Sequence, residues 1–326
     1  MTNRGDERVG REERSRRAVE AAVSLARENR LRVEEPVVLN DLFSLMVHLR
    51  PAPVVARVAT CMPKVRKPIS AWLKRAIAVT TFLSERGASV VAPSRKLPPG
   101  PHERDGFPIS FWEYVEPDPN RTPTAAGCSA MLVDLHEVLR SYPGELPMLG
   151  AGDIPRMMEE LDPASDILSA ADENLLRASA ERLRPFWETL SGDIQLIHGD
   201  AHSGNLIAAR EGGLVWIDFE DVCRSPVEWD LATMMDEEAV SRHDNPDFKL
   251  MAKCMELRAL QVALSLIAFH DDFRDIIGWN EGLRSMLGIL ASRRHIQLDE
   301  RRQMKNTYHR RCHCGGIRLR DKENDK

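Results

Sequence analysis

The chain has 326 residues, 43% hydrophobic and 29% charged, with a formal net charge of −5. That length allows two core-forming units, and the acidic balance argues against a surface that neutralises nucleic-acid phosphates, so no nucleic-acid partner is expected. No apolar run reaches the roughly 18 residues that a membrane span needs, no apolar leader segment follows the first residues M-T-N-R-G-D-E-R, and six scattered cysteines fit reduced thiols in the cytoplasm better than a disulfide frame.

Residues 1–34 are crowded with Arg and Glu, and only E-A-A-V-S-L-A-R-E-N-R-L has the makings of a short helix. The expectation is a charged, solvated arm, partly helical or disordered. From residue 35 the character changes. P-V-V-L-N, S-L-M-V-H-L and V-V-A-R-V-A-T are short β-branched runs split by turn residues, which predicts strands and a hairpin. The stretch Ile69 to Gly87 is a predicted helix, with Trp72, Ala76, Val79 and Leu83 on one face and Gly87 as its stop. A-S-V-V-A-P and F-P-I-S-F-W-E-Y-V-E are strand signals, and the prolines between Pro117 and Pro123 mark a domain boundary. The expected organisation is a strand-rich N-lobe over 35–116 and a larger helical C-lobe over 117–300. Within the C-lobe, A-A-G-C-S-A-M-L-V-D-L-H-E-V-L-R and E-N-L-L-R-A-S-A-E-R-L-R-P-F-W-E-T-L are helices. I-Q-L-I-H, N-L-I-A-A and L-V-W-I-D-F are short strands, and residues 227–295 are largely helical. A tail over 301–326 holds nine Lys/Arg against three acids and is expected to be disordered. Its C-H-C at 312–314 lacks the second pair that a zinc site would need.

The chemistry concentrates in L-I-H-G-D-A-H-S-G-N-L, residues 196–206, where His198, Asp200 and Asn205 fit H-x-D-x-x-x-x-N. Asp218 follows at the end of a β-branched run, in W-I-D-F-E-D. Phosphoryl transfer from ATP asks for this set. The protein positions an already activated group and neutralises charge. It needs a carboxylate at the attacking hydroxyl and hard oxygen ligands for Mg²⁺. Asp200 suits the first task; Asn205 and Asp218 suit the second.

L-I-H-G-D-A-H-S-G-N-L, W-I-D-F-E-D and P-V-E-W-D-L-A together resemble the aminoglycoside phosphotransferase family, within the protein-kinase-like superfamily that also holds choline kinases. The resemblance covers about residues 35–295. It implies a two-lobed α+β fold that binds ATP and Mg²⁺ between its lobes and phosphorylates a hydroxyl of a small molecule. It also implies that Asp200 is catalytic, that Asn205 and Asp218 hold the metal, and that Asp230 and His198 support the loop. Trp112 to Glu116 resembles the linker that reads the adenine edge, which puts Glu113, Tyr114 and Val115 at the nucleotide. Glu220 and His202 are candidate substrate or metal contacts; a solvated role for Glu220 and a packing role for His202 stand beside these.

Two features depart from the family pattern. Where the kinase strand carries a phosphate-binding lysine there is Arg57, whose planar fork also suits phosphate. The next helix should carry a glutamate for that lysine, but Ala76 stands at the matching place and no acid occurs from Ile69 to Ser84. Arg57 is therefore expected to rely on nucleotide phosphates or on a different acid. A nucleotide-binding regulatory protein without turnover is the alternative. Residues 218–275 hold fourteen Asp/Glu and six Lys/Arg, a field that would attract a cationic acceptor. The oligomeric state is left open.

Overall fold

In the computed structural model the described residues are 4–149, 153–159, 161, 167–190, 192–234, 240, 242, 246–276 and 278–292. The first helix, α1 (Arg4–Glu28), is not a solvated arm. Ala18, Ala21, Ala22, Leu25 and Ala26 recur at three- and four-residue steps and are 0–7% exposed. They form a narrow stripe of mostly methyl groups that lets the helix lie close on a sheet, while its arginines and glutamates cover the remaining surface. The Cys-His-Cys tail lies outside the described residues.

The sheet beneath α1 has five antiparallel strands in the order β1 (Val33–Asp41), β2 (Leu45–Pro51), β3 (Val54–Val58), β5 (Phe107–Glu113) and β4 (His102–Arg104). The expected hairpin runs here are strands. On β3, Val54, Ala56 and Val58 join the core under α1, and the two-residue period therefore sets Arg57 on the opposite face. The expected strand at 88–93 makes only single bridges, Val90 to Trp216 and Pro93 to Trp112. Its backbone is divided between two partners, since Val91 N–H donates to Trp216 and Ala92 C=O accepts from Glu113.

Helix α2 (Ile69–Glu85) ends before Gly87, whose φ of 74° only glycine adopts readily. Its buried face, including Leu73, Ala76, Val79 and Leu83, packs into the large C-terminal core rather than under the sheet. That core is otherwise built by α3 (Ala125–Arg140), α4 (Asp153–Glu159), α5 (Ala170–Glu188), α6 (Glu228–Met234), α7 (Phe248–Ala268), α8 (His270–Phe273) and α9 (Trp279–Ser292). Thr124 caps α3 by accepting from Gly127 N–H. Between the helices lie two small antiparallel pairs. β7 (Leu206–Ala208) pairs with β8 (Leu214–Trp216), as the turn at E-G-G suggests. β6 (Ile194–Ile197) pairs with β9 (Cys223–Pro226), a strand too short and too polar to be seen in the sequence.

The two parts are tied on both sides. At the linker, Asp118 N–H donates to Ala208 and Arg210 N–H to Glu116. On the other side, Phe43 at the β1–β2 turn packs edge-on to Phe269 and Phe273, with centroids 5.1 and 5.3 Å away. Asp272 there accepts from Arg14 of α1 at 3.0 Å and from Lys64. No helix among the described residues is long and apolar enough to cross a membrane.

Candidate active site

The loop after β6 is fixed by its backbone. Asp230, fully buried on α6, accepts from His198 N–H at 2.9 Å and from Gly199 N–H at 2.8 Å. Its Oδ2 also takes Nε2 of His136 at 2.8 Å. Trp229 Nε1 donates to Gly199 C=O at 2.7 Å, so adjacent residues of one helix hold both sides of the turn. Gly199 has φ 85°, and a Cβ there would sit 2.0 Å from the Asp221 carbonyl. The loop and the segment after Asp218 thus touch backbone to backbone, which only glycine allows.

His198 is buried between Trp216 and Phe219. Its Nδ1 accepts from Asp200 N–H, so the proton is assigned to Nε2, which donates to Ile217 C=O at 3.0 Å. The ring therefore links loop to strand and has no free nitrogen for chemistry. Asn205 adds a second link: its carbonyl accepts from Ile217 N–H at 3.0 Å. Its side-chain amide donates to Asp200 C=O at 2.8 Å and to Asp200 Oδ2 at 3.0 Å. Both amide hydrogens are thereby used, and Oδ1 is left as the atom free to bind a cation.

Asp218 sits in the left-handed region at φ 66°, ψ 60°. Such a conformation costs a non-glycine residue about 1 kcal/mol or more, and is least costly for Asp and Asn. Its Oδ1 lies 3.0 Å from Arg57 Nη1, and its side chain is 32% exposed. A carboxylate oxygen and an amide oxygen from adjacent segments fit Mg²⁺, which keeps several waters and takes few protein ligands. Among the described residues no group of three or more His, Cys, Asp or Glu is placed to hold a metal.

Arg57 has no carboxylate on α2. Its Nε lies 2.7 Å from Glu220 Oε1, and Glu220 Oε2 accepts from Arg66 at 2.8 Å. Glu220 is 1% exposed. It is therefore not a solvated acid, and both its oxygens face guanidinium groups. Burial raises its carboxyl above the ordinary range despite the opposing pull of Arg57. Helix α2 brings a cation instead of an acid: Arg75 donates to Glu220 C=O at 2.7 Å. Arg66 and Arg75 both lie over Trp72, at 4.3 and 4.4 Å. Arg66 also grips Asp221 through both carboxylate oxygens, at 2.7 and 2.8 Å.

Asp200 is one-fifth exposed and ringed by donors. Arg258 of α7 donates to its Oδ1, Asn205 to its Oδ2, and His202 Nε2 lies 3.5 Å from Oδ2. Burial pushes its carboxyl upward, but Arg258 and then His202 outweigh this and hold it well below the usual range. His202 is one-third exposed, and its Nδ1 accepts from Gly204 N–H. At the linker, Glu113 N–H is taken by Ala92 and Tyr114 N–H by Pro53. Among the described residues no carbonyl takes Val115 N–H, so of the three expected nucleotide contacts only Val115 keeps its amide available. Tyr114 stacks on His48 at 3.7 Å. Arg258, Arg66 and His136 are not evident from the sequence. The one signal for Arg258 is a lone arginine between buried Leu257 and Ala259 in the apolar middle of α7.

A family model described as "Phosphotransferase enzyme family" matches residues 65–253, more than half of the chain. The chain belongs to this family. No curated protein matches the sequence. Solved structures share the fold. The amicoumacin kinase hAmiN, in complex with AMP-PNP, Ca²⁺ and Ami, superposes with a TM-score of 0.61 at 13% identity, covering 83% of this chain and 93% of its own. The choline kinase LicA from Streptococcus pneumoniae gives 0.59 at 14% identity, covering 84% and 99%. A microcompartment-associated aminopropanol kinase gives 0.56 at 17%, covering 83% and 94%. The family enzyme thus has the two-lobed kinase-like architecture, with a five-stranded antiparallel N-lobe sheet and a helical C-lobe.

Proposed function

We propose that this enzyme transfers the γ-phosphate of ATP to a hydroxyl of a small molecule, with Mg²⁺ as cofactor and the cytoplasm as its place of action. One observation carries the reading: a single buried aspartate, Asp230, fixes a loop that presents Asp200 and Asn205 beside the strand end bearing Asp218. Asp200 would orient the acceptor hydroxyl and receive its proton. As the acceptor oxygen bonds the γ-phosphorus, the bond from that phosphorus to the β–γ bridging oxygen breaks and ADP leaves. Bound at Asn205 Oδ1 and Asp218, Mg²⁺ would neutralise phosphate charge. Arg57, anchored by Glu220 and Asp218, keeps Nη2 for a phosphate oxygen, and Val115 offers its backbone to the adenine edge.

The names of the similar structures support a nucleotide and a small hydroxyl compound as the class of substrates. The alternative of binding without turnover drew on the missing helix acid. Glu220 supplies an acid to Arg57 from another segment, which removes most of that reason. The test is ATP consumption with Mg²⁺ over a panel of hydroxyl compounds, with Asp200→Ala and Asp218→Asn as controls. Turnover confined to the parent enzyme is expected; unchanged turnover in both variants would refute the assigned roles.

A further inference from the structure

We propose that the phosphate acceptor carries an oxyanion, a carboxylate or phosphate near its reacting hydroxyl, and that Arg258 is the residue that binds it. The inference rests on the phosphotransfer reading and names its acceptor class. Arg258 donates through Nη2 to Asp200 Oδ1 and through Nη1 to Gln261 Oε1 at 2.8 Å. Its guanidinium lies 5.8 Å from the Trp229 ring. Gln261 holds one side of the fork, so the group is fixed while most of its five N–H donors have no partner among the described residues.

An acceptor hydroxyl that reaches Asp200 comes to lie beside Arg258, because Oδ1 accepts from that guanidinium and keeps a further lone pair. Asn205 and His202 belong to the loop itself, so Arg258 is the donor that reaches Asp200 from outside it. The guanidinium, four-fifths covered, has N–H donors to spare beside that hydroxyl. An acidic acceptor offers those donors a carboxylate or phosphate, in the two-oxygen geometry that the fork prefers. A cationic acceptor meets like charge at Arg258, with His202 on the other side.

Five of the fourteen acidic residues that suggested a cationic acceptor are engaged elsewhere. Glu220 and Asp221 face Arg66, Asp230 holds the loop, Glu256 pairs with Arg182, and Asp272 pairs with Lys64.

The experiment compares three-carbon acceptors of similar size: glycerate, glycerol 3-phosphate, glycerol and 1-amino-2-propanol. For each, kcat/KM is measured with Mg-ATP, and binding is measured by calorimetric titration into enzyme loaded with Mg²⁺ and AMP-PNP. One of the two acids is expected to exceed the neutral and cationic members by more than about 100-fold, since a site built to hydrogen-bond a substrate group rejects analogues that lack it, and the two acid arms separate carboxylate from phosphate. In Arg258→Gln that ratio collapses; in Arg258→Glu the preference moves to the amino alcohol. Equal or better use of the amino alcohol by the parent enzyme overturns the inference and leaves phosphotransfer standing. Failure of both acids to bind the nucleotide-loaded enzyme also overturns it. Failure of nucleotide itself to bind would refute phosphotransfer instead.

Discussion

Glu220 shows how much depends on a single side chain whose neighbours are distant in sequence. It sits two residues after Asp218, yet its partners come from β3 and from the turn before α2. Glu220→Ala would leave Arg57 and Arg66 with one carboxylate partner each and a buried charge partly unmatched. We expect a loss of about 3 kcal/mol, at the lower end of what breaking a buried pair costs, measured by urea denaturation. The KM for ATP should rise as Arg57 loses its anchor. Asp200 gives a second expectation. Its carboxyl is held well below its ordinary 3.8, chiefly by Arg258 acting against burial. A depressed folded-state value contributes stability that is present above the unfolded value and is lost as pH falls through the folded one. The acid limb of kcat/KM, which reports the free enzyme, should therefore show no Asp200 ionisation between pH 5 and 8. In Arg258→Gln an acid limb should move upward toward that window.

At the scale of elements, the sequence was informative wherever large apolar groups recur. The face of α2 stood out because Leu83 and Val79 align with Trp72, and β2 and β3 because their β-branched runs end at turn residues. Helix α1 was legible only at its C-terminal end, in E-A-A-V-S-L-A-R-E; its length and burial were not, because alanines carry its buried stripe and arginine and glutamate dominate its composition. β9 was missed because its four residues, C-R-S-P, include a charge and a proline. The loop over 196–206 was legible because its residue types have few other uses at that spacing. Arg258 and Arg66 were not, because their partners lie 58 and about 155 positions away and nothing local specifies the pairing. The alanine stripe also gives a test. Ala22 is fully buried against the sheet, so Ala22→Leu should overpack it and cost about 1–3 kcal/mol, visible as a lower urea midpoint, although leucine is itself a good helix former.

For the whole molecule, the division of apolar interior does not follow the division of the chain. α2 belongs by sequence to the N-terminal half and by packing to the C-terminal core, so the segment after Asp218 is clamped between halves that the chain order keeps apart. The second clamp is Phe43. Phe43→Ala should remove the edge-on contacts to Phe269 and Phe273 and cost about 2 kcal/mol, below the range for a fully buried phenylalanine because Phe43 is only half-buried. It should also raise the KM for ATP, since the β1–β2 turn would lose its fixed position. Urea titration and initial-rate kinetics check the two effects.

The ties at the linker and at Phe43 have a consequence for how the enzyme breathes. A jaw hinged at one end can open by swinging, but a cleft fastened at both ends works like a buttonhole, widening in the middle while its corners stay shut. Heating should then melt both lobes in one calorimetric transition, with the calorimetric and van't Hoff enthalpies equal; Phe43→Ala, by undoing one corner, should split that transition in two.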